Sequence, residues 1–230
     1  VPDLLLLFLK WPEPGLAKTR LIPALGPEAA AAVYRLLAEA EVAATRPEAG
    51  EYDRLFCFSP ANAEARVRAW FPGEGVWAQP EGDLGQRMAK AFEAGFRSGA
   101  KRVALVGTDI PWVTRDLVAL SFEALASADV VLGPTHDGGY YLVAMARPLP
   151  ELFEGIVWST SGVLAATRER AEALGLVTHL APPLTDIDTL DDLRATWDEI
   201  APLLGREPGV RDSVARALAQ GPGERRFGAQ

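Results

Sequence analysis

Leu4-Leu5-Leu6-Leu7-Phe8-Leu9 is apolar at every position and stops at Lys10. A strand with one wet face alternates apolar and polar residues, whereas a strand covered on both faces does not. The run therefore reads as a central strand of a parallel sheet. It falls well short of the roughly 20 apolar residues that span a bilayer. Asp3 precedes it and no basic leader does, which speaks against a secretion signal.

Apolar runs recur downstream at residues 55–58, 76–78, 103–106, 129–133, 140–144 and 176–180, with helical patterns between them. Gly26-Pro27 opens an alanine-rich helix to about Thr45, with Pro placed where its missing N–H costs little. Ser59-Pro60 reads as cap and first residue of a short helix to Trp70. Asp83 caps a helix to Ser98, which Gly99 ends. Thr114 starts another. Trp158-Ser159-Thr160 precedes one to Leu174, and Asp186-Ile187-Asp188-Thr189 precedes an acidic one to about Leu204. The alternation predicts an α/β protein, a three-layer α/β/α arrangement with a mostly parallel sheet. One domain is expected over residues 1–204. A C-terminal piece, 205–230, carries an amphipathic helix at 210–219 and a Gly-rich, charged end expected to be disordered.

The 230 residues carry a formal net charge of −8, which argues against broad nucleic-acid or anionic-membrane binding but allows a small basic pocket for phosphate. Cys57 is the only cysteine, so neither an intrachain disulfide nor a thiolate zinc cluster can form. A reducing, cytoplasmic setting is expected. The nucleophile elbow G-x-S-x-G, the zinc motif H-E-x-x-H and the dinucleotide fingerprint are all missing from the sequence.

In open α/β sheets, ligands bind at the carboxyl ends of the strands. The unusual residues of this chain cluster there. Directly after the first strand stand Lys10, Gly15, Lys18, Thr19 and Arg20. Gly15 permits close backbone approach, and a compact cation beside a planar guanidinium suits a diphosphate. The bland alternative is a solvated basic loop. Gly107-Thr108-Asp109-Ile110-Pro111 places a carboxylate at the end of an apolar strand, where it either caps a turn or holds Mg²⁺ or Mn²⁺. Asp137-Gly138-Gly139-Tyr140 reads as a hairpin turn or as a base with a close ligand approach. Asp186 and Asp188 alternate, so either can join Asp109 on a metal, while Asp188 or Thr189 can also cap a helix. Trp158, followed by Ser159 and Thr160, either stacks on a base or sugar or belongs to the core. His179 reads as structural.

Taken in order, these motifs, together with Gly82-Asp83-Leu84-Gly85-Gln86-Arg87-Met88, resemble a bacterial family of GT-A-fold proteins labelled glycosyltransferase. That family lies in the nucleotide-diphospho-sugar transferase superfamily. The arrangement is also similar to 2-phospho-lactate guanylyltransferase and, more distantly, to the molybdenum-cofactor nucleotidyltransferases. The resemblance runs from Leu4 to about Leu204. It implies a nucleotide bound over the first strand by Lys10, Gly15, Lys18, Thr19, Arg20, Gly85 and Arg87. It also implies metal on Asp109 with Asp186 or Asp188, and an acceptor near Gly138, Gly139, Tyr140, Trp158, Ser159 and Thr160, with Asp137 as candidate base. The first reading is a nucleotide-sugar-dependent glycosyltransferase, because Gly15 stands alone where classical nucleotidyltransferases carry several glycines. The alternatives are a guanylyl- or cytidylyltransferase releasing pyrophosphate, and a non-catalytic nucleotide-binding module. Base, sugar, acceptor and oligomeric state are left open.

Overall fold

The computed structural model describes residues 2–220, so the expected disordered end at 221–230 lies outside the described residues. By contacts the chain divides into two compact units, Val1–Trp11 with Glu41–Asp186, and Pro12–Ala40 with the segment from Ile187 onward.

The first unit holds a seven-stranded sheet in the order β3-β2-β1-β4-β6-β5-β7. The strands are β1 (Asp3–Lys10), β2 (Tyr52–Ser59), β3 (Gly75–Ala78), β4 (Val103–Gly107), β5 (Val130–Pro134), β6 (Tyr140–Met145) and β7 (Thr178–Leu180). β1 pairs in parallel with β2 on one side and β4 on the other. Both faces of β1 are covered, as its unbroken apolar run predicts: Leu5, Leu6, Leu7 and Leu9 are fully buried. β6 alone runs antiparallel, between β4 and β5, because residues 135–139 make the hairpin that Asp-Gly signals.

Two helices precede β2: α1 (Ile22–Leu25) and α2 (Pro27–Ala44). The α-helices that lie wholly in the first unit are α3 (Glu64–Trp70), α4 (Leu84–Arg97), α5 (Arg115–Ala124) and α6 (Val163–Ala173). α4 lays Met88, Ala91 and Phe92 into a cluster with Leu4, Leu6, Val103 and Leu105. Truncating a ring buried as deeply as Phe92 typically costs about 3–5 kcal/mol. Asp83 caps α4 by accepting from Gln86 N, and Thr114 caps α5 by accepting from Leu117 N, as expected. Ser59 does not act as a cap. It ends β2, and a 3₁₀ turn at Ala61–Ala63 leads into α3. Here pairing of Ser59 with Lys10 in the sheet wins over local capping preference.

The second unit is helical. A 3₁₀ turn at Thr19–Leu21 and the short α1 occupy the loop that follows β1. α7 (Leu190–Ala195), α8 (Trp197–Leu204) and α9 (Pro208–Ala219) close the described chain, and α9 packs on α1, α7 and α8. The acidic segment read as one helix is two. α7 ends where Thr196 leaves the helical region with a φ of −112°, while its N–H and hydroxyl both still donate to Asp192 O. No described helix is long and apolar enough to cross a membrane.

Candidate active site

β1 is where the sheet changes direction. The chain adds β2 and β3 on one side of it and then crosses to place β4 on the other. That reversal makes the carboxyl ends of β1 and β4 a topological switch point, the general ligand site of open α/β sheets.

Several residues fix the strand ends there. The Thr108 hydroxyl, almost fully buried, donates to Phe8 O at 3.1 Å, tying β4 to β1. The Ile110 N–H donates to the buried Glu41 carboxylate at 3.1 Å. Asp109 stands between these two anchors and is half-buried. A Cβ at Gly107 would come within 3.2 Å of Asp109 Oδ1, so glycine leaves that carboxylate its room. On the other side of β1, Gln79 donates its amide protons to Cys57 O at 2.8 Å and Leu9 O at 3.4 Å. Its amide oxygen accepts from Arg87 Nη1 at 2.8 Å. Burial pushes the Cys57 thiol up to about 12, so it is an inert part of the core.

Glu41 and Gln79 were missed by motif reading. Gln79 belongs to no pattern. Glu41 had a signal: it falls in helical register with Val33, Leu37 and Thr45, all fully buried. An acid on the buried side of a helix needs partners, and here one of them is a strand-end N–H.

The turn after β5 is held differently. Asp137 Oδ1 accepts from the Thr135 hydroxyl at 2.6 Å and from Gly139 N–H at 2.9 Å. Gly138 adopts a φ of 93°, and a Cβ there would overlap the Ser161 carbonyl oxygen. Gly138 O in turn accepts from Leu164 N at 2.9 Å, which docks the turn on the start of α6. Trp158 packs over Gly85, where a Cβ would lie 2.7 Å from the indole, and meets Tyr140 edge-on at 6.5 Å. Burial raises the Tyr140 phenol well above its ordinary range, offset in part by Thr167. Ser159 and Thr160 are exposed, Ser159 with a φ of 62°.

The remaining sequence candidates lie elsewhere. Lys10 is exposed at the end of β1. In the second unit Gly15 is exposed with a φ of 86°, and Thr19 is exposed too. Lys18 takes a left-handed conformation (φ 44°), and its side chain, 4% exposed, pairs with Asp188 Oδ1 at 2.7 Å. Arg20, 67% exposed, approaches the other Asp188 oxygen at 3.4 Å. Asp188 is therefore the counter-ion of the basic loop. Asp192 is taken by the capping box with Thr189. Asp186 is half-buried, next to the fully buried Ile187. Among the described residues no three His, Cys, Asp or Glu side chains gather as a metal-holding group.

A family profile described as an uncharacterized protein conserved in bacteria (DUF2064) matches residues 42–160. The chain is 29% identical over 181 residues to a phosphoenolpyruvate guanylyltransferase from Chloroflexus aggregans, covering 76% of this chain and 87% of that one. A crystal structure from Desulfovibrio desulfuricans G20, with an inferred assignment as a nucleotide-diphospho-sugar transferase, superposes with a TM-score of 0.83. It is 30% identical, over 93% of this chain and 99% of that one. The CTP complex of CMP:2-keto-3-deoxy-manno-octonic acid synthetase has a TM-score of 0.54 at 12% identity, over 89% of this chain and 99% of that one, and so shares the fold.

Proposed function

This chain belongs to the DUF2064 family, and from that premise we propose that it is a nucleotidyltransferase that joins a nucleoside monophosphate unit to a small phosphorylated acid. The observation that carries this reading is the placement of Asp109 at the β1–β4 switch point, on a backbone tied down on either side at Thr108 and Ile110. The guanylyltransferase named among its relatives favours nucleotidyl transfer over the glycosyl transfer that the motifs suggested first. That relative's name also gives the substrates to try first, GTP and phosphoenolpyruvate. Residues 1–204 are taken as the transferase region, working in the cytoplasm, where triphosphates are abundant.

In this reaction an acceptor phosphate oxygen attacks the α-phosphorus of the triphosphate. The bond from the α-phosphorus to its bridging oxygen breaks, and pyrophosphate leaves with those electrons. A phosphate monoester is largely an anion at neutral pH, so no general base is required. Asp137 is then assigned to holding its turn. Mg²⁺ or Mn²⁺, which takes one or two carboxylates plus phosphate oxygens, would supply neutralisation of the triphosphate when bound. Asp109 is the residue to hold it, with Asp186 as the second candidate. Asp188, occupied by Lys18, fits that role less well. Lys18 and Arg20 would help neutralise the departing pyrophosphate, and Asp188 keeps their loop folded until then. Lys10, Gly15, Thr19, Gly85 and Arg87 stay assigned to the nucleotide. Gly138, Gly139, Tyr140, Trp158, Ser159 and Thr160 stay assigned to the acceptor side.

The test is pyrophosphate release from GTP with phosphoenolpyruvate and either metal, then from other triphosphates and phosphorylated acids. Release that depends on the acceptor supports the reading. Release of a nucleoside diphosphate from a nucleotide sugar, with no pyrophosphate from any triphosphate, would return it to glycosyl transfer.

A further inference from the structure

Gln79 directly follows β3 and is tied to three strand carbonyls. Its backbone N–H donates to Phe58 O at 2.8 Å, and its amide nitrogen donates to Cys57 O and Leu9 O. With both amide protons turned to carbonyls, the amide oxygen is left to accept from Arg87 Nη1. The opposite amide orientation would set an oxygen against two carbonyls and an NH₂ against a guanidinium, so the network fixes which way the amide points.

Arg87 is thereby held at a set place on the first turn of α4, its Nε reaching Asp83 O at 3.4 Å. It has no carboxylate partner among the described residues. A cation in the first turn of a helix also works against the helix dipole, which favours anions there. A guanidinium with no carboxylate partner among the described residues, anchored to the carboxyl ends of β1 and β2, has donors left for a ligand.

We propose that Gln79 is a positioning residue: it aims Arg87 at an acceptor group of the bound nucleotide, a phosphate oxygen or a base carbonyl, and so sets the affinity for the nucleotide donor. The proposal rests on the nucleotidyltransferase reading of the same switch point.

The experiment is a double-mutant cycle of Gln79→Leu and Arg87→Ala, with the donor KM, kcat and calorimetric nucleotide Kd measured for each variant. Gln79→Leu should raise the donor KM about tenfold, as loss of a hydrogen bond that orders a charged group does, with kcat within about threefold. Arg87→Ala should do at least as much. The double variant should be no worse than Arg87→Ala alone, because Gln79 acts through Arg87. Losses that multiply would overturn the proposal. If Gln79→Leu fails to fold, Gln79→Ala carries the cycle, and unfolding midpoints report on that. Equal losses for GTP, ATP and CTP would identify a phosphate contact, and a loss confined to one base would identify a base carbonyl. Pyrophosphate release with unchanged KM in both single variants would sink the proposal and leave the function standing. Nucleotide binding without pyrophosphate release would sink the function, and the cycle would then be read in Kd. A wild-type protein that binds no nucleotide would overturn both.

Discussion

Asp109 and Asp137 follow apolar strands in the same way, each in a short turn with a glycine close by, and motif reading treats them alike. The structure separates them by what holds each turn. The Asp137 carboxylate is itself the fastener: one of its oxygens takes both the Thr135 hydroxyl and the Gly139 N–H. At Asp109 the fastening is done by neighbours, with Thr108 on Phe8 O and Ile110 N–H on Glu41. At Asp109 those two ties hold the backbone whatever the carboxylate itself contacts. At Asp137 the contacts of the carboxylate are the ties.

The largest effect expected from this contrast is at Asp109. Asp109→Asn should lower kcat by about 10²–10³-fold, as removal of a charge-stabilising group does, while the unfolding midpoint stays near wild type. A fall in stability that matches the loss of rate would erase the distinction. Next comes Gly138→Ala. A positive φ and overlap with the Ser161 carbonyl should together cost about 3 kcal/mol or more in denaturant unfolding. Asp137→Asn keeps an oxygen for its two donors, so kcat should stay within about threefold. If Asp137 were a general base, the loss would reach about 10²–10⁴-fold, and pyrophosphate release rates separate the two outcomes. The smallest effect is Thr108→Val, which removes the bond to Phe8 O and should cost about 1 kcal/mol. A larger fall in kcat than in stability would show that β4 must be held to β1 for Asp109 to act.

Much of the fold was legible because burial on both faces removes polar residues from a strand, and β1, β4 and β5 carry that mark plainly. The hairpin at residues 135–139 was legible through Asp-Gly. The break at Thr196 was not, since one residue leaving the helical region leaves no pattern in the polarity of the segment. Of the candidate site, the aspartates and glycines stood out as residues that are odd at strand ends. Their supports did not. Gln79 is an ordinary loop residue until the carbonyls of Leu9 and Cys57 are brought to it from distant parts of the chain. The role of Asp188 was also hidden, because its partner Lys18 stands 170 positions away along the chain. Alternating carboxylates suggest a cation, and nothing local says that the cation is a lysine.

The central place of β1 has a consequence for the order in which the protein can be made. Leu4 pairs with Asp53 on β2 and with Val103 on β4, so the most apolar strand leaves the ribosome well before either neighbour. At about 5–20 residues per second the wait for β4 is about 5–20 s. β2 can cover one edge of the leucine run once residue 59 has emerged, but the edge that β4 takes stays an open apolar ribbon until residue 107 follows and the sheet can close around it.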